Sequence, residues 1–419
     1  MMNRIDDMKY KPLKTVFHML GKEDFELEYE MRKTHFSSYV SDLYIHPMRD
    51  QKQLLDIEFP LFYCMTNEIV ENNEKILLNS AKILDLSSNQ PGIATEAYIK
   101  HLLINELQST NETENIRSTK QEIAEALNNI NGHSKRFTGL VNQYLLIKED
   151  NVKLKSIADI RSIYDTIVSK EIKEDEQPDG KLFRRESIGV YDDSNGRWVH
   201  RNEYNETQIF EYLTKILDFI EHFNSPQIAK IMASHYMFEY LHPFYDGNGR
   251  IGRYLVAKLL NEVIDPFTSL TFSYVVNKNK SKYYKVFENT SHFFNKGDLT
   301  IFIQDMLKML IEGQENIISS FEENIDIINN LQISLNKMKL DKYESKIFFI
   351  LLQDKVFGSS YARLSLKELE KITGFSRGKI NSVIQLHTDK LVKIKSKPTI
   401  YEIKESFIYE LLAMPLEHD

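Results

Sequence analysis

The sequence contains very little of the material that builds disulfide or metal frameworks, since its 419 residues include a single cysteine, Cys64. One cysteine excludes an internal disulfide network, a zinc site built on cysteine pairs and a Cys-x-x-Cys redox site. Glycine and proline are also scarce, at 15 and 10 residues, which is about half of their usual share. This scarcity predicts long helices and few turns.

Long apolar runs are missing as well. No segment approaches the roughly 20 apolar residues that cross a bilayer, and the first eleven residues, which include five charged ones, lack the apolar stretch of a signal peptide. We therefore expect a cytoplasmic protein with no membrane partner. The composition is otherwise that of a folded protein, with 42% hydrophobic and 27% charged residues and a net charge of −8. At roughly 150 residues per domain, the length suggests two or three domains.

The residues best suited to catalysis and ligand binding are concentrated in 242–253, which read His-Pro-Phe-Tyr-Asp-Gly-Asn-Gly-Arg-Ile-Gly-Arg. Apolar residues recur with helical spacing before and after this segment. Pro243 disfavours helical geometry at His242. The segment is therefore predicted to be a loop between two helices.

This loop has the residue types that bind a triphosphate. Gly247 and Gly249 allow successive backbone N–H groups to turn inward around an anion, and the N-terminal end of the next helix adds positive potential. Arg250 and Arg253 are three positions apart on that helix, so both can contact phosphate oxygens.

The same loop carries two residues that suit catalysis. Asp246 can bind Mg²⁺ together with phosphate oxygens and water, and His242 can accept a proton from an attacking hydroxyl. Two other patterns fit less well. The glycines of 247–252 match a dinucleotide fingerprint, but that fingerprint requires a preceding strand. His235 and His242 would lie roughly 10 Å apart along a helix, which is too far to share one metal ion, so His235 is interpreted as a packed histidine.

The segment resembles the Fic motif, HxFx(D/E)GNGRxxR, and matches it at every specified position. The similarity extends from about His235 to Ile303. The resemblance implies a mainly α-helical fold, in which an all-α Fic core carries a β-hairpin flap. It also implies transfer of AMP from ATP to a hydroxyl side chain of a target protein, with release of pyrophosphate.

The resemblance also implies a role for each motif residue. His242 would be the general base, and Asp246 would bind Mg²⁺. The phosphates of ATP would be bound by Gly247, Asn248, Gly249, Arg250 and Arg253. A hairpin is predicted near 183–198, and it resembles the family's flap, which docks a segment of the target protein by strand addition. A purely structural hairpin is the alternative interpretation.

A second feature of the family lies upstream, where 110–115 read Thr-Asn-Glu-Thr-Glu-Asn and fit the pattern (S/T)xxxE(G/N). The resemblance implies an inhibitory helix near 104–116. From it Glu114 would pair with Arg253 and so prevent productive binding of the γ-phosphate. A solvated helix face is the alternative. The same glutamate could also orient a water molecule for removal of AMP, which would make the enzyme bifunctional.

Four parts are predicted along the chain: an N-terminal helical region (1–95), a Fic catalytic domain (96–315), a connecting helix (316–340) and a C-terminal domain (341–419). Apolar residues spaced by three and four from Ile318 to Met338 predict the connecting helix. This heptad-like spacing also makes a homodimer a hypothesis.

The C-terminal domain is predicted to form three helices followed by two short strands, which resembles a winged helix-turn-helix. From Ser376 to Lys397 there are six basic residues and a single acidic one, Asp389. A basic third helix and wing suit contacts with DNA phosphates, and protein docking is the alternative. A DNA-binding regulator, or a nucleotide sensor with a Fic-like domain, is therefore the alternative function.

Overall fold

The computed structural model describes residues 10–128, 136–148, 154–192 and 196–415. The helices are α1 (Leu13–Leu20), α2 (Lys22–Thr34), α3 (Asn67–Ser88), α4 (Gly92–Thr113), α5 (Lys120–Asn128), α6 (Thr138–Lys148), α7 (Ile157–Ile167), α8 (Glu206–His222), α9 (Gln227–Leu241), α10 (Asn248–Val263), α11 (Pro266–Ser269), α12 (Phe272–Lys278), α13 (Lys280–Ser291), α14 (Thr300–Lys337), α15 (Lys342–Phe357), α16 (Leu366–Thr373), α17 (Arg377–Leu386) and α18 (Glu405–Leu412). The strands are β1 (Ser38–Ile45), β2 (Met48–Arg49), β3 (Lys52–Gln53), β4 (Phe59–Cys64), β5 (Ile188–Asp192), β6 (Arg197–Asn202), β7 (Leu391–Ser396) and β8 (Thr399–Ile403).

The strands pair antiparallel in four two-stranded sheets, β1 with β4, β2 with β3, β5 with β6 and β7 with β8. The prediction of a mainly α fold with small β-hairpins is therefore confirmed. No helix in the described ranges combines the length and the apolarity that crossing a membrane would need.

Helix α9 is the central element of the fold. All of its residues from Ile228 to Leu241 are buried, as expected of a helix that is covered on every side. Helices α8 and α10 pack against it, and α14 and α3 also contact it. The predicted loop at 242–247 follows α9 directly, so the candidate site lies at one end of the best-buried helix.

The N-terminal region is mostly helical, as predicted, and carries four short strands between α2 and α3. β1 pairs with β4, with Ile45 opposite Phe59. In β1, Leu43 and Ile45 are buried whereas Asp42 and Tyr44 are exposed. This alternation with a period of two is typical of a strand with one buried face. The sequence analysis did not single out these short strands, because the alternation is confined to a few residues.

The predicted inhibitory helix is the end of a longer helix, since α4 runs from Gly92 to Thr113 rather than over 104–116. The helix stops at Glu114 because Asn115 has a left-handed backbone, with φ of 57°. Asparagine and glycine adopt this conformation more readily than other residues and commonly end helices. The Asn of the sequence pattern thus has a structural role, which is to leave Glu114 at the C-terminal end of α4.

The hairpin of β5 and β6, called the flap below, lies further along the chain than predicted. It runs from Ile188 to Asn202, whereas Phe183 is buried in the core and packs against Phe244. Residues 193–195, which belong to the predicted hairpin, lie outside the described ranges.

Helix α14 is continuous over 38 residues, so the predicted connecting helix is its C-terminal half. Several apolar residues of that half are buried, among them Phe321, Ile328 and Leu331. Helices α3 and α15 of the same chain pack against α14. This packing accounts for the heptad-like spacing without a second copy of the chain.

The C-terminal elements occur in the predicted order, with α18 as an additional helix. Capping side chains fix where α15, α16 and α17 begin, because Asp341, Ser365 and Ser376 each accept backbone N–H groups of the first turn. α15 packs against α4, and Lys100 of α4 lies 3.0 Å from Glu368 of α16. The C-terminal elements therefore contact the helix that ends at Glu114.

Candidate active site

The site begins at His242, which ends α9 in a left-handed conformation with φ of 48°. Its Nδ1 is hydrogen bonded to the carbonyl oxygen of Glu239. Because a carbonyl can only accept, Nδ1 carries the hydrogen and Nε2 keeps a free electron pair. Burial lowers the pKa of His242 below its ordinary value. The imidazole is therefore neutral at pH 7 and can act as a base through Nε2.

Asn248 closes the loop that follows His242. Its side-chain oxygen accepts the N–H of Phe244 at 3.0 Å, and its amide nitrogen donates to the Phe244 carbonyl at 2.7 Å. The ring of Phe244 is buried and stacks on Tyr164, with 4.0 Å between the ring centroids. Packing and these two hydrogen bonds together fix the conformation of the loop.

The two glycines of the loop are needed for different reasons. Gly247 has φ of 86°, in the left-handed region that favours glycine. At Gly249 a Cβ atom would lie only 2.1 Å from Oε1 of Glu114. A carboxylate oxygen therefore lies directly against the backbone of the loop, where any side chain would displace it.

Asp246 is the residue of the predicted set that was assigned to Mg²⁺. It is exposed, and its Oδ1 accepts the N–H of Gly247 at 2.6 Å, while Oδ2 makes no hydrogen bond to any residue in the described ranges. A single exposed carboxylate fits Mg²⁺, which takes its other ligands from phosphates and water. The described residues contain no group of three or more metal-binding side chains, so an ion here would depend on the nucleotide.

Arg253 is held by the end of α4. Its side chain is 1% exposed, and its Nη2 lies 2.7 Å from Oε1 of Glu114. Its Nε and Nη2 also donate to the hydroxyl and the carbonyl of Thr110, both at 3.0 Å. Burial by itself would lower the pKa of Arg253, but the charge of Glu114 raises it above the ordinary value. Thr110 and Glu114, both from the predicted pattern, thus bind the same guanidinium.

Arg250 is paired with a carboxylate that the sequence did not suggest. Its side chain is also 1% exposed, and its Nη1 lies 2.9 Å from Oε2 of Glu171, just after α7. Its Nε is buried and has no hydrogen-bond partner among the described residues. Burial raises the pKa of Glu171 even though the neighbouring Arg250 opposes this. No local pattern marks Glu171, because its partner is 79 positions away.

Two further buried residues next to the site were missed. Glu239 precedes His242 by one helical turn, and its Oε1 has no partner in the described part of the chain. Burial raises the pKa of Glu239 to about 8. Arg184 is fully buried before the flap and donates hydrogen bonds to Leu241 and His242. A charged residue type inside the core is visible only once the fold is known.

The structure brings the upstream pattern and the loop together. Glu114 lies against Gly249 and Arg253, and its charge acts on His242. His235, by contrast, is buried and hydrogen bonded to the Tyr283 hydroxyl at 2.8 Å, as a packed histidine would be.

A helical core with this loop and a flap has the architecture of a Fic domain, and residues 155–260 match the Fic/DOC family. The chain therefore contains a Fic domain. Its fold is similar to that of a solved Fic family protein from Desulfovibrio desulfuricans G20, with 17% identity, coverage of 82% of this chain and 98% of that one, and a TM-score of 0.52.

A solved Fic domain containing signaling protein from Bacteroides thetaiotaomicron VPI-5482 also matches, at 17% identity and a TM-score of 0.41, over 59% of this chain and 97% of that one. A search of curated proteins gives no match. The family match shows the domain, and the Desulfovibrio desulfuricans structure shows the fold.

Proposed function

We propose that this protein is an autoinhibited protein adenylyltransferase, which uses Mg²⁺ and transfers AMP from ATP to a hydroxyl side chain of a target protein. The Fic domain at 155–260 supports this class, since Fic domain proteins are often transferases. The observation that carries the proposal is the carboxylate of Glu114, which lies against Gly249 and pairs with Arg253. A loop that already binds one anionic oxygen is suited to bind a phosphate.

In the proposed reaction, Nε2 of His242 accepts the proton of the target hydroxyl. The hydroxyl oxygen forms a bond to the α-phosphorus of ATP, and the bond from that phosphorus to the bridging oxygen breaks. Pyrophosphate leaves with the electron pair of that bond. Mg²⁺ held by Asp246 would reduce the negative charge on the phosphates. His242 is suited to its role because it is neutral and its Nδ1 is already hydrogen bonded.

The proposed inhibition is competition for one guanidinium. Arg253 is 1% exposed, and Thr110 and Glu114 bind its Nε and Nη2. A γ-phosphate can approach this side chain only if the Glu114 carboxylate moves away. ATP would therefore bind the wild-type protein without reaching the pose that places the α-phosphorus near His242.

We propose that the target docks along β5. In the described ranges β5 pairs with β6 alone, whereas segment 51–53 covers the far side of the hairpin, where Gln51 and Gln53 accept the N–H groups of Trp198 and Glu203. The unpaired edge of β5 can accept an added strand. The rings of His200 in β6 and His242 lie 5.5 Å apart, so the flap adjoins the proposed base.

The test is incubation with Mg²⁺ and ATP labelled on the α-phosphate, followed by measurement of label on protein. Wild type, Glu114→Gly and Glu114→Gly/His242→Ala are compared. We expect label chiefly with Glu114→Gly and none with the double variant. Glu112→Gly is the matched control, since Glu112 is exposed in the same helical turn and contacts Asn277 instead of Arg253. Absence of label in every variant would contradict the proposal.

A second candidate function, DNA binding, is favoured by the surface of the C-terminal elements. Helix α17 exposes Arg377, Ser382 and Gln385, which can reach phosphates and base edges. Lys393 and Lys397 are exposed on the β7–β8 hairpin. The helix and the hairpin thus present polar and basic residues together, as DNA-binding winged helices do.

A further inference from the structure

Arg184 lies between the flap and the end of α9, and no sequence pattern singled it out. Its side chain is completely buried. A guanidinium has five N–H donors, and here all five are used. Nε donates to His242 O at 2.6 Å, Nη1 to Glu186 O at 2.5 Å and Tyr204 O at 2.7 Å, and Nη2 to Asn202 Oδ1 at 3.0 Å and Leu241 O at 3.1 Å.

The acceptors belong to two separate parts of the molecule. Leu241 and His242 form the end of α9, whereas Glu186 precedes β5, Asn202 ends β6 and Tyr204 follows it. The backbone of Arg184 adds a further hydrogen bond between the flap side and the segment after α9, because the N–H of Arg184 donates to the Pro243 carbonyl at 3.1 Å.

The end of α9 needs such partners. A helix leaves its last carbonyls without intrahelical hydrogen bonds, and here the flap supplies the donors. Tyr240 O accepts from His200 Nε2 at 2.8 Å and from Asn202 Nδ2 at 3.2 Å. Arg184 binds the next two carbonyls, and its positive charge is favourable at the negative end of a helix.

From this geometry we infer that Arg184 is a positioning residue for the proposed transfer, since it fixes the flap that would hold the target relative to the imidazole of His242. The inference rests on the proposed function. Arg184 contacts neither the arginines nor the glycines that would bind ATP. Its loss should therefore disturb the approach of the target hydroxyl to His242 rather than the binding of nucleotide.

The test compares Arg184→Lys with Arg185→Lys in the Glu114→Gly background. Lysine keeps the charge but has three donors on a flexible chain, so it cannot reproduce the five-bond fork. Arg185 is the matched control, because it is adjacent and exposed. We expect Arg184→Lys to lower the rate of label transfer about 100-fold, the size of effect caused by a misplacement of about 1 Å.

Two further measurements separate positioning from general damage to the structure. The dissociation constant for Mg²⁺–ATP should stay within about threefold of the parent, because the phosphate-binding residues are untouched. Amide hydrogen exchange over β5 and β6 should become faster in Arg184→Lys and stay unchanged in Arg185→Lys. Unchanged transfer would overturn the inference, as would a parallel loss of ATP binding.

Asn202→Ala provides an independent test if Arg184→Lys fails to fold. It removes one acceptor of Arg184 and the bond to Tyr240 O, and should give a smaller loss of transfer, about tenfold, with ATP binding retained. Transfer equal to the parent would overturn the inference. If the Glu114→Gly parent itself transfers no label, the proposed function fails, while hydrogen exchange of the flap still decides whether Arg184 fixes it.

Discussion

The loop at the start of α10 and the hairpin of the C-terminal elements carry the same type of charge in opposite settings. Arg250 and Arg253 are each 1% exposed and paired with a carboxylate. Lys393 and Lys397 are exposed and make no ion pair with residues in the described ranges. A buried charge depends strongly on its partner, whereas an exposed charge is weakened by solvent and salt. One carboxylate can therefore control the loop, but only several lysines together can bind a partner.

The largest effect should come from Arg253. In the Glu114→Gly background, Arg253→Ala should lower the rate of label transfer at least about 100-fold, because it removes a buried donor to the phosphates. Glu114 acts through this arginine in our proposal. In the Arg253→Ala background, Glu114→Gly should therefore give no further gain.

The measurement compares the rates of label transfer by wild type, Glu114→Gly, Arg253→Ala and the double variant. If Glu114→Gly still activates the Arg253→Ala protein, the brake does not depend on the ion pair. The carboxylate would then inhibit by occupying the space against Gly249, where it already lies.

A smaller effect is expected at Arg250. Glu171→Gln replaces a charged competitor with a neutral amide, so the dissociation constant for Mg²⁺–ATP should fall about three- to tenfold, in line with a difference of about 1 kcal/mol between charged and neutral hydrogen bonds. Calorimetric titration measures this dissociation constant. Glu174→Gln is the control, since Glu174 is exposed three positions later. Weaker binding by Glu171→Gln would show that Glu171 orients Arg250 for phosphate instead of competing with it.

These two arginines show how far the sequence could lead. A continuous motif identified Arg250 and Arg253, and a short pattern identified Glu114, because each consists of neighbouring residues with a specific chemistry. The partner of Arg250 could not be found in this way. Glu171 has no motif of its own, and only the folding of the segment after α7 onto α10 brings it to 2.9 Å.

The fold was predictable to a similar extent. Helical spacing of apolar residues predicted the helices on both sides of the 242–253 loop and the connecting helix, and the mainly α class is confirmed. The strand β1 was missed because its alternation covers only a few residues between helices. Arg184 was missed for a different reason, since its five acceptors are spread over both sides of the site.

A still smaller effect, on stability, is expected from Glu239. Folding raises the pKa of this carboxyl to about 8, so the folded state favours its protonated form. In the unfolded chain the pKa of a glutamate side chain is about 4. The stabilisation by protonated Glu239 is complete below that pH and is lost as the pH rises towards 8. The melting temperature of Glu239→Gln minus that of wild type should therefore increase by a few degrees between pH 5 and pH 8.

Thermal unfolding at several pH values measures this difference. Glu211→Gln on α8 is the control and should show no such trend, since Glu211 is exposed in the folded chain. A constant difference between wild type and Glu239→Gln across this range would mean that the carboxylate of Glu239 is accommodated in its charged form, for example by Arg253.

The smallest effect per residue is expected at the exposed lysines. If the C-terminal elements bind DNA, the logarithm of the affinity should fall linearly with the logarithm of the salt concentration, and each phosphate contact contributes about 0.9 to that slope. Lys393→Ala/Lys397→Ala should therefore reduce the slope by about 2, as measured by fluorescence anisotropy with duplex DNA. Lys22→Ala, at an exposed position of α2, should leave it unchanged. If Lys22→Ala lowers the slope as much per lysine as Lys393→Ala/Lys397→Ala does, the attraction is nonspecific. Salt-independent or absent binding would indicate that this surface docks a protein.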